Sequence, residues 1–527
     1  MCSVLLIRPL CEGGEPEFAE PLGIERLAGY LLAHGVGDVR IADRRLPERE
    51  RQVGLLDADA PGFYEELRAA YACSKAPDVV GVSLMTSADV PDARRIVDRL
   101  SAWWPQARFV AGGVFVTSAP DEAARALPAR ITLVRGEGEA ALLAMTRSRR
   151  SSQADESMGS EPVDSFSRGK GETAPLGSTG GKVTCDVSAS EQHGNESISS
   201  VPIDSFGDAG GFPVLSLPPD EWAPAWRSCL ERYAALGCAV NMQTSRGCPG
   251  NCAFCATPGM PSQLCRWQPR SLRLVADEIV VQARRLERAG LPPVFNFVDD
   301  DFGSLERLEE LARELQARNV RVAFACEMRF ASLAGQPELA QRLARLHEAG
   351  LTRVFFGVES LNPQTLRWWR KPLDLGELPT VLAAFREAGI AVQVGYILWH
   401  GRQTVEGALD EVQTLHELGI YSHRAACSRL IAFQGCALAQ GRATSRGFQP
   451  MDEAAEAFLR KFEQRARGFS ESYICDLVAE PYETARAYLT GDDRRLRELR
   501  EALCAADEQS FRLFMVESGS GSNGADR

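Results

Sequence analysis

The chain has 527 residues, 45% of them hydrophobic and 25% charged, with a formal net charge of −12 at pH 7. That length suggests two to four domains of ordinary globular composition. The acidic balance argues against a nucleic-acid partner, which demands a basic face, and no apolar run of about 18 residues or more predicts a membrane span.

The N-terminus, Met-Cys-Ser-Val-Leu-Leu-Ile-Arg, lacks a signal-peptide pattern and reads as a first strand. The fifteen cysteines are odd in number and scattered, which predicts reduced thiols and a cytoplasmic location rather than disulfides. Val4–Arg8 reads as a buried strand and Leu22–Ala33 as a helix. Strands follow at Val39–Ala42, Asp78–Leu84, Arg108–Gly113 and Ile131–Arg135, with a helix over Val90–Ser101. Continuous apolar strands alternating with amphipathic helices predict an α/β fold, a doubly wound (Rossmann-like) parallel sheet over 1–147. Such sheets bind ligands beyond the carboxyl ends of their strands. Small residues gather there: Ser83, Thr86 and Ser87, then Gly112-Gly113, then Gly136-Glu137-Gly138-Glu139.

Residues 148–210 are rich in Ser, Gly, Glu and Asp. They hold an imperfect repeat, Asp155–Phe166 against Asn195–Phe206. A short unit duplicated once cannot bury a core, so a disordered linker is expected here. The β–α alternation returns over 211–435. Strands are predicted at Ala239–Arg246, Pro293–Phe302, Val320–Arg329, Arg353–Ser360, Ala391–Trp399 and His423–Phe433. Six such βα units predict a partial (β/α)6 TIM-like barrel, with chemistry at the strand carboxyl ends. Residues 436–527 read as helical, with amphipathic stretches at Asp452–Arg467 and Arg494–Phe511 and a disordered tail from Ser518.

Just after the first barrel strand comes Cys248-Pro-Gly-Asn-Cys252-Ala-Phe-Cys255. Three thiolates at C-x3-C-x2-C spacing suit one iron–sulfur cluster, because cysteine sulfur is the soft ligand such clusters take. Three ligands on four irons leave one iron open for chemistry. A structural zinc would need a fourth ligand. The nearest is Cys265, and no histidine lies between His193 and His347.

This run, with Phe254 before the last cysteine, resembles the signature of radical S-adenosylmethionine (SAM) enzymes. The resemblance implies a 4Fe–4S cluster on Cys248, Cys252 and Cys255, with SAM chelated at the open iron and cleaved to a 5′-deoxyadenosyl radical. It places SAM contacts at Asp299 and Asp300 after the second strand, Glu327 and Arg329 after the third, and Glu359 and Ser360 after the fourth. One or two of Asp299, Asp300 and Asp301 are expected to cap the next helix instead. Pro21-Leu-Gly-Ile, Val80–Thr86, Ala111-Gly-Gly113 and Arg135–Glu139 in turn resemble the cobalamin-binding domain of cobalamin-dependent radical SAM enzymes. That resemblance implies cobalamin contacts at Ser83, Thr86, Gly112, Gly113, Gly136, Glu137 and Gly138. The D-x-H-x-x-G motif that gives cobalt a histidine is absent, so a base-off cobalamin without a histidine ligand is implied.

The implied activity is methyl transfer to an unactivated carbon of a small molecule, natural-product-like or lipid-like, with an electron donor such as flavodoxin or ferredoxin. A non-methylating radical reaction (ring contraction, cyclisation or oxidation) would use the same motifs. A tRNA methylthiotransferase would need a basic RNA-binding domain, and the acidic helical C-terminus offers none. A non-catalytic cluster- or cobalamin-binding regulator would not need the acidic SAM-site residues. His400, in Trp399-His-Gly-Arg402, is a candidate for facing substrate. Trp368-Trp369 is expected to pack a helix on the barrel, and Cys326 and Cys427 are expected to be core thiols within strands.

Overall fold

The computed structural model describes residues 2–12, 18–57, 60–155, 214–215, 217–260, 262–432, 436–439, 447–448 and 450–517. Of 148–155, 214–215, 262–263, 447–448 and 467–481 it describes the backbone alone. Most of the linker with its repeat, and the tail from Ser518, lie outside the described residues.

The first sheet holds β1 (Ser3–Arg8), β2 (Asp38–Asp43), β3 (Val79–Ser83), β4 (Arg108–Gly112) and β5 (Ile131–Leu133). All pairings are parallel, in the order β2-β1-β3-β4-β5. β1 shows why it is covered on both faces. Leu5 and Ile7 enter one hydrophobic cluster with Val80, Val82 and Ile96, whereas Val4 and Leu6 enter another with Val79, Val110 and Leu31. Successive side chains of a strand point to opposite faces, so a run without polar interruption needs helices on both sides. Helix α1 (Leu22–Ala33) covers one face and α2 (Val90–Trp103) the other. The order reverses between β1 and β3, and a crevice of this kind is where doubly wound sheets hold ligands.

Ile131–Arg135, expected as one strand, is two. Beyond β5 the chain turns out at Val134, and Arg135–Gly136 pairs with Val214–Leu215 from the far side of the linker. The next helix, Glu139–Asp155, runs past the expected boundary at 147.

The second sheet holds β6 (Val240–Met242), β7 (Val294–Phe297), β8 (Ala323–Met328), β9 (Leu351–Glu359) and β10 (Ala391–Tyr396), parallel and in sequence order. Helix α3 (Leu272–Arg288) and α4 (Leu305–Ala317) pack outside it, burying Val275, Ile279, Leu308 and Leu311 against Phe295, Phe297 and Phe324. Ser304 caps α4 by accepting the Arg307 N–H.

The sixth strand expected at His423–Phe433 is not continuous. His423–Cys427 is a helix, capped by the Ser422 hydroxyl. The barrel's sixth position is held by a single parallel bridge of Arg429 to Trp399, with main-chain bonds from Trp399 N–H to Ser428 O and from Leu430 N–H to Trp399 O. Cys427 is therefore helical, while Cys326 is the buried strand thiol expected. After the short α5 (Pro363–Trp368), the C-terminal region forms α6 (Glu453–Thr490) and α7 (Asp493–Glu517). The end of α6 closes the amino end of the barrel sheet, where Tyr482 and Ala485 pack on Val294 and Ala323. That leaves the carboxyl end open for chemistry.

The two sheets meet through charged groups. Arg227 is fully buried, 2.6 Å from Glu20 and 3.3 Å from Glu25 at the start of α1. Arg26 of α1 donates to the carbonyls of Ala223 and Gln243 at 3.2 Å. Glu278 of α3 takes Arg270 at 3.1 Å. A buried charge is tolerated when it is paired and hydrogen-bonded, and these groups are matched on the two sides of the seam.

Candidate functional site

The cysteine loop leaves the carboxyl end of β6. Asp299 is buried and takes the Thr244 N–H at 2.7 Å, the Ser245 N–H at 2.8 Å and the Thr244 hydroxyl at 2.6 Å. These bonds turn the chain sharply out of β6. Burial raises the Asp299 carboxyl to about 6, although all three bonds favour its charged form. Gly247 follows at φ 73°, and a Cβ there would lie 2.4 Å from the Arg266 carbonyl, so only glycine fits. The Cys248 N–H then donates to the Cys265 carbonyl at 3.1 Å.

All three thiols are free and partly exposed. The Cβ position of Gly250 lies 3.3 Å from Cys248 Sγ and 3.9 Å from Cys252 Sγ, so these sulfurs flank one spot. The Gly250 N–H donates to Cys248 Sγ at 3.3 Å. Burial raises the thiols of Cys248 and Cys252; the Gly250 N–H and Arg329 oppose this at Cys248, as Lys371 and Arg329 do at Cys252. Cations and an N–H directed at sulfur favour the thiolate that iron needs. Among the described residues, no three His, Cys, Asp or Glu side chains converge on a single ion.

Around the loop stand the ends of the next strands. Asp301 is buried and pairs with Arg329 at 2.8 Å, while its carbonyl takes the Ser245 hydroxyl and the Trp267 indole N–H. A third of the Arg329 side chain remains exposed. A groove of about 490 Å³, lined by Pro249, Trp267, Asp301, Ser304 and Arg329 among others, opens beside it. Asp300 is exposed and accepts the Gly247 N–H. Glu359 sits at φ 69°, a conformation costly for a residue with a Cβ, and pairs with Lys371 at 3.5 Å. Burial raises its carboxyl, with Lys371 opposing.

Some expected site residues are placed elsewhere. Neither Asp299 nor Asp301 caps the next helix; both brace the loop. Ser360 is fully buried, its hydroxyl donating to Glu411 at 3.1 Å, and Tyr396 and Gln403 share that carboxylate. It supports the strained Glu359 instead of facing a ligand. Glu327 gives its carbonyl to the Phe302 N–H at 2.8 Å. His400 is 2% exposed, wedged against Trp368 and Trp369, and burial with the nearby Arg402 lowers it to about 4. It is a neutral packing residue at physiological pH. Trp369 is fully buried, as expected of a packing residue.

At the carboxyl edge of the first sheet, Asp89 pairs with Arg8 at 2.9 Å and takes the Met85 and Thr86 N–H groups, shaping the turn after β3. Ser83 pairs with Gly112 in the sheet. Gly113 stands at φ 104°, and a Cβ there would lie 2.5 Å from the Leu84 carbonyl. Its glycine is required by the loop packing on β3. The Gly112 Cβ would meet Val134 O at an ordinary 3.5 Å, and that of Gly138 would meet Leu27 of α1 at 3.1 Å. Gly136 donates its N–H to Thr117 at 3.0 Å. Glu137 turns its carboxylate to Arg246 across the seam. Two observations fit a large, partly apolar cofactor at this edge. Met85 and Val114 are exposed beside each other's loops, and the Thr86 hydroxyl is buried without a partner. His34 ends α1 at the opposite edge, bonded to the Tyr30 carbonyl, so it cannot serve cobalt there.

Sequence reasoning missed Glu411 and Arg246 as members of the site, and it offered Asp301 as a candidate helix cap. Arg246 carried a signal, a lone cation closing an apolar strand two residues before the first cysteine.

Comparison with known proteins agrees with this geometry. The Radical SAM superfamily model matches residues 242–418, and the B12 binding domain model matches residues 16–146. A methyltransferase of Pyrococcus horikoshii, PH0819, described as uncharacterised, is 23% identical over 63% of this chain and 62% of its own. The hopanoid C-3 methylase of Methylococcus capsulatus is 25% identical over 72% of this chain and 61% of its own. The chain thus spans about three fifths of the length of these curated relatives. Among solved structures, the cobalamin-dependent SAM radical enzyme OxsB, with aqua-cobalamin bound, superposes with a TM-score of 0.65 at 13% identity. The match covers 98% of this chain and 79% of that one. The radical SAM methyltransferase TsrM of Kitasatospora setae gives 0.53 at 18% identity, over 80% and 71%. At such identities the likeness is one of fold. No described helix is long and apolar enough to cross a membrane.

Proposed function

We propose that this chain, which joins a B12-binding domain to a radical SAM domain, is a cobalamin-dependent methyltransferase acting on an unactivated carbon of a small molecule. One observation carries the reading: the three-cysteine loop at the carboxyl end of β6 lies beside the carboxyl edge of the first sheet, joined to it through Arg246 and Glu137. Two cofactors held at these edges would flank a substrate between them. A radical SAM domain implies a 4Fe–4S cluster and SAM, and a B12 binding domain implies cobalamin. The methylase and methyltransferase names of the relatives support methyl transfer as the outcome.

In this reading Cys248, Cys252 and Cys255 hold the cluster, and the Gly250 N–H and the Arg329 and Lys371 cations stabilise their thiolates. Asp300, Arg329 and Glu359 line the mouth and orient SAM. The Asp299 and Asp301 bonds keep the loop rigid, so that little reorganisation accompanies each turnover. The Met85 and Val114 surface, with the turns at Thr86 and Gly112, would receive the cobalamin, and the absence of a D-x-H-x-x-G motif from the sequence fits a base-off form. When bound, these cofactors supply the radical and the methyl group, and the protein contributes orientation and exclusion of water. A one-electron donor of the flavodoxin or ferredoxin class belongs to the proposal.

The test uses anaerobically reconstituted protein with methyl-labelled SAM and candidate small-molecule substrates. Label in product, with S-adenosylhomocysteine and 5′-deoxyadenosine formed together, is the expected result. Formation of 5′-deoxyadenosine alone with a consumed substrate would replace methyl transfer by a rearrangement or oxidation. Full iron retention after alanine replaces all three cysteines would overturn the cluster assignment.

A further inference from the structure

At the seam between the two sheets the side chains form a closed ring. The Arg246 guanidinium pairs with Glu137 and reaches Glu139 at 3.5 Å. It lies over the Trp222 ring, 4.0 Å from its centroid. Trp222 donates its indole N–H to the Leu217 carbonyl at 3.2 Å, and the Leu217 N–H returns to Glu137. The Arg246 side chain is 17% exposed and that of Glu137 is 7% exposed, so the pair is little screened by salt.

The members come from three parts of the chain. Glu137 and Glu139 follow Gly136 at the edge of the first sheet. Leu217 and Trp222 belong to the segment joining the domains. Arg246 pairs with Gln268 in a two-residue antiparallel ladder and is followed by Gly247, whose backbone admits no side chain, and then by Cys248. Gly247 between them is held by its surroundings, its N–H on Asp300 and its Cα packed against the Arg266 carbonyl, and the Cys248 N–H is held by the Cys265 carbonyl, so a shift of the Arg246 backbone passes to the first cysteine.

We propose that Arg246 is a positioning residue that couples the two cofactor sites, transmitting the state of the 136–139 loop to the cysteine loop. The inference rests on the reading above, which gives cobalamin to the first sheet and the cluster to the cysteines. A ligand that settles the loop beside Glu137 settles Arg246, and Arg246 sets Cys248. By thermodynamic reciprocity, SAM at the cluster then favours cobalamin to the same degree.

Calorimetric titration of SAM into cluster-loaded protein, with and without saturating hydroxocobalamin, tests this. SAM is expected to bind roughly 5- to 20-fold more tightly to the cobalamin-loaded wild type, within the usual range of coupling between sites. Arg246→Gln and Glu137→Gln are each expected to bring that ratio below about 2 with iron content unchanged, and Arg246→Lys to retain part of it. Glu137→Gln keeps an acceptor for the Leu217 N–H, and it carries the test if Arg246→Gln does not fold. Wild type that binds both cofactors without coupling would overturn the proposal and leave the function intact. So would variants that weaken both sites yet keep the ratio, since a merely structural ring behaves that way. Wild type that binds no cobalamin would remove the functional reading and this proposal together.

Discussion

The main-chain carbonyl of Trp369 accepts the N–H of Ala253, in the middle of the cysteine loop, at 2.8 Å. The Ala253 carbonyl takes the Leu438 N–H at 3.1 Å, so the loop is fastened from both sides. The Trp369 ring meets Phe254 at 5.4 Å and His400 at 5.1 Å, nearly edge-on to each. Phe254 of the motif thus has a packing role, turning the loop toward the barrel wall. Replacing Trp369 by alanine empties a fully buried site and is expected to cost about 3–5 kcal/mol. The variant should hold less iron after reconstitution, while its cobalamin content stays near wild type, because the first sheet is untouched. Iron analysis beside cobalamin absorbance checks this; equal loss of both would mean that the whole chain is destabilised.

Gly112 and Gly113 separate a packing requirement from a ligand requirement. A side chain at Gly113 meets the Leu84 carbonyl at 2.5 Å in a backbone conformation that disfavours any Cβ. Gly113→Val should therefore destabilise the first sheet by about 2 kcal/mol or more whether or not cobalamin is present. Gly112→Ala adds a methyl at ordinary contact distance and should fold like wild type. A thermal melt of the unloaded proteins ranks the two. Weaker cobalamin binding by a fully stable Gly112→Ala protein would then locate the cofactor against that backbone.

The alternation of strands and helices was legible because period and composition agree along β1–β5 and β6–β10. Where it misled, a local cap decided. Ser422 opens a helix at His423, and the apolar run that follows reaches the sheet only at Arg429. The cysteines were legible because their spacing is local chemistry. The acidic run was not, because neighbours in an extended segment face opposite ways: Asp299 and Asp301 turn inward and Asp300 outward. No spacing rule assigns those faces in advance. Nor does a sequence announce that Glu137 meets Arg246, 109 positions on.

Ser360 and Glu411 give a matched pair of outcomes. The Glu411 carboxylate accepts from the Ser360 hydroxyl and Leu361 N–H at 3.1 and 3.0 Å, from Gln403 at 2.9 Å and from Tyr396. Ser360→Ala removes one of these bonds and should cost about 1 kcal/mol. It should leave SAM affinity unchanged, because the hydroxyl is buried. Glu411→Ala orphans several buried donors and should cost about 3–5 kcal/mol. It should also weaken SAM binding, through the Glu359 backbone that the network holds at positive φ. Chemical denaturation and SAM titration of both variants check the pattern; a marked loss of SAM affinity in Ser360→Ala would restore Ser360 to the ligand contacts.

Asp299 makes a prediction in pH. Its carboxyl is raised from an ordinary 3.8 to about 6 by burial, so the folded state holds its proton more tightly than the unfolded chain does. Between those values the unfolded chain ionises first, and this residue's contribution to stability falls as pH rises from about 4 through 6. The whole effect is roughly 3 kcal/mol, at 1.36 kcal/mol for each tenfold change in proton affinity. Asp299→Asn keeps an oxygen for the Thr244 and Ser245 N–H groups, and the Thr244 hydroxyl can rotate to accept from the new amide. The variant should match or exceed wild-type stability at pH 8. Relative to wild type it should lose ground as pH is lowered from 6 to 4, because the protonated wild-type carboxyl no longer carries the burial penalty. Denaturation curves at pH 4, 6 and 8 decide it. A difference between the two proteins that stays constant across that range would show that Asp299 does not titrate there.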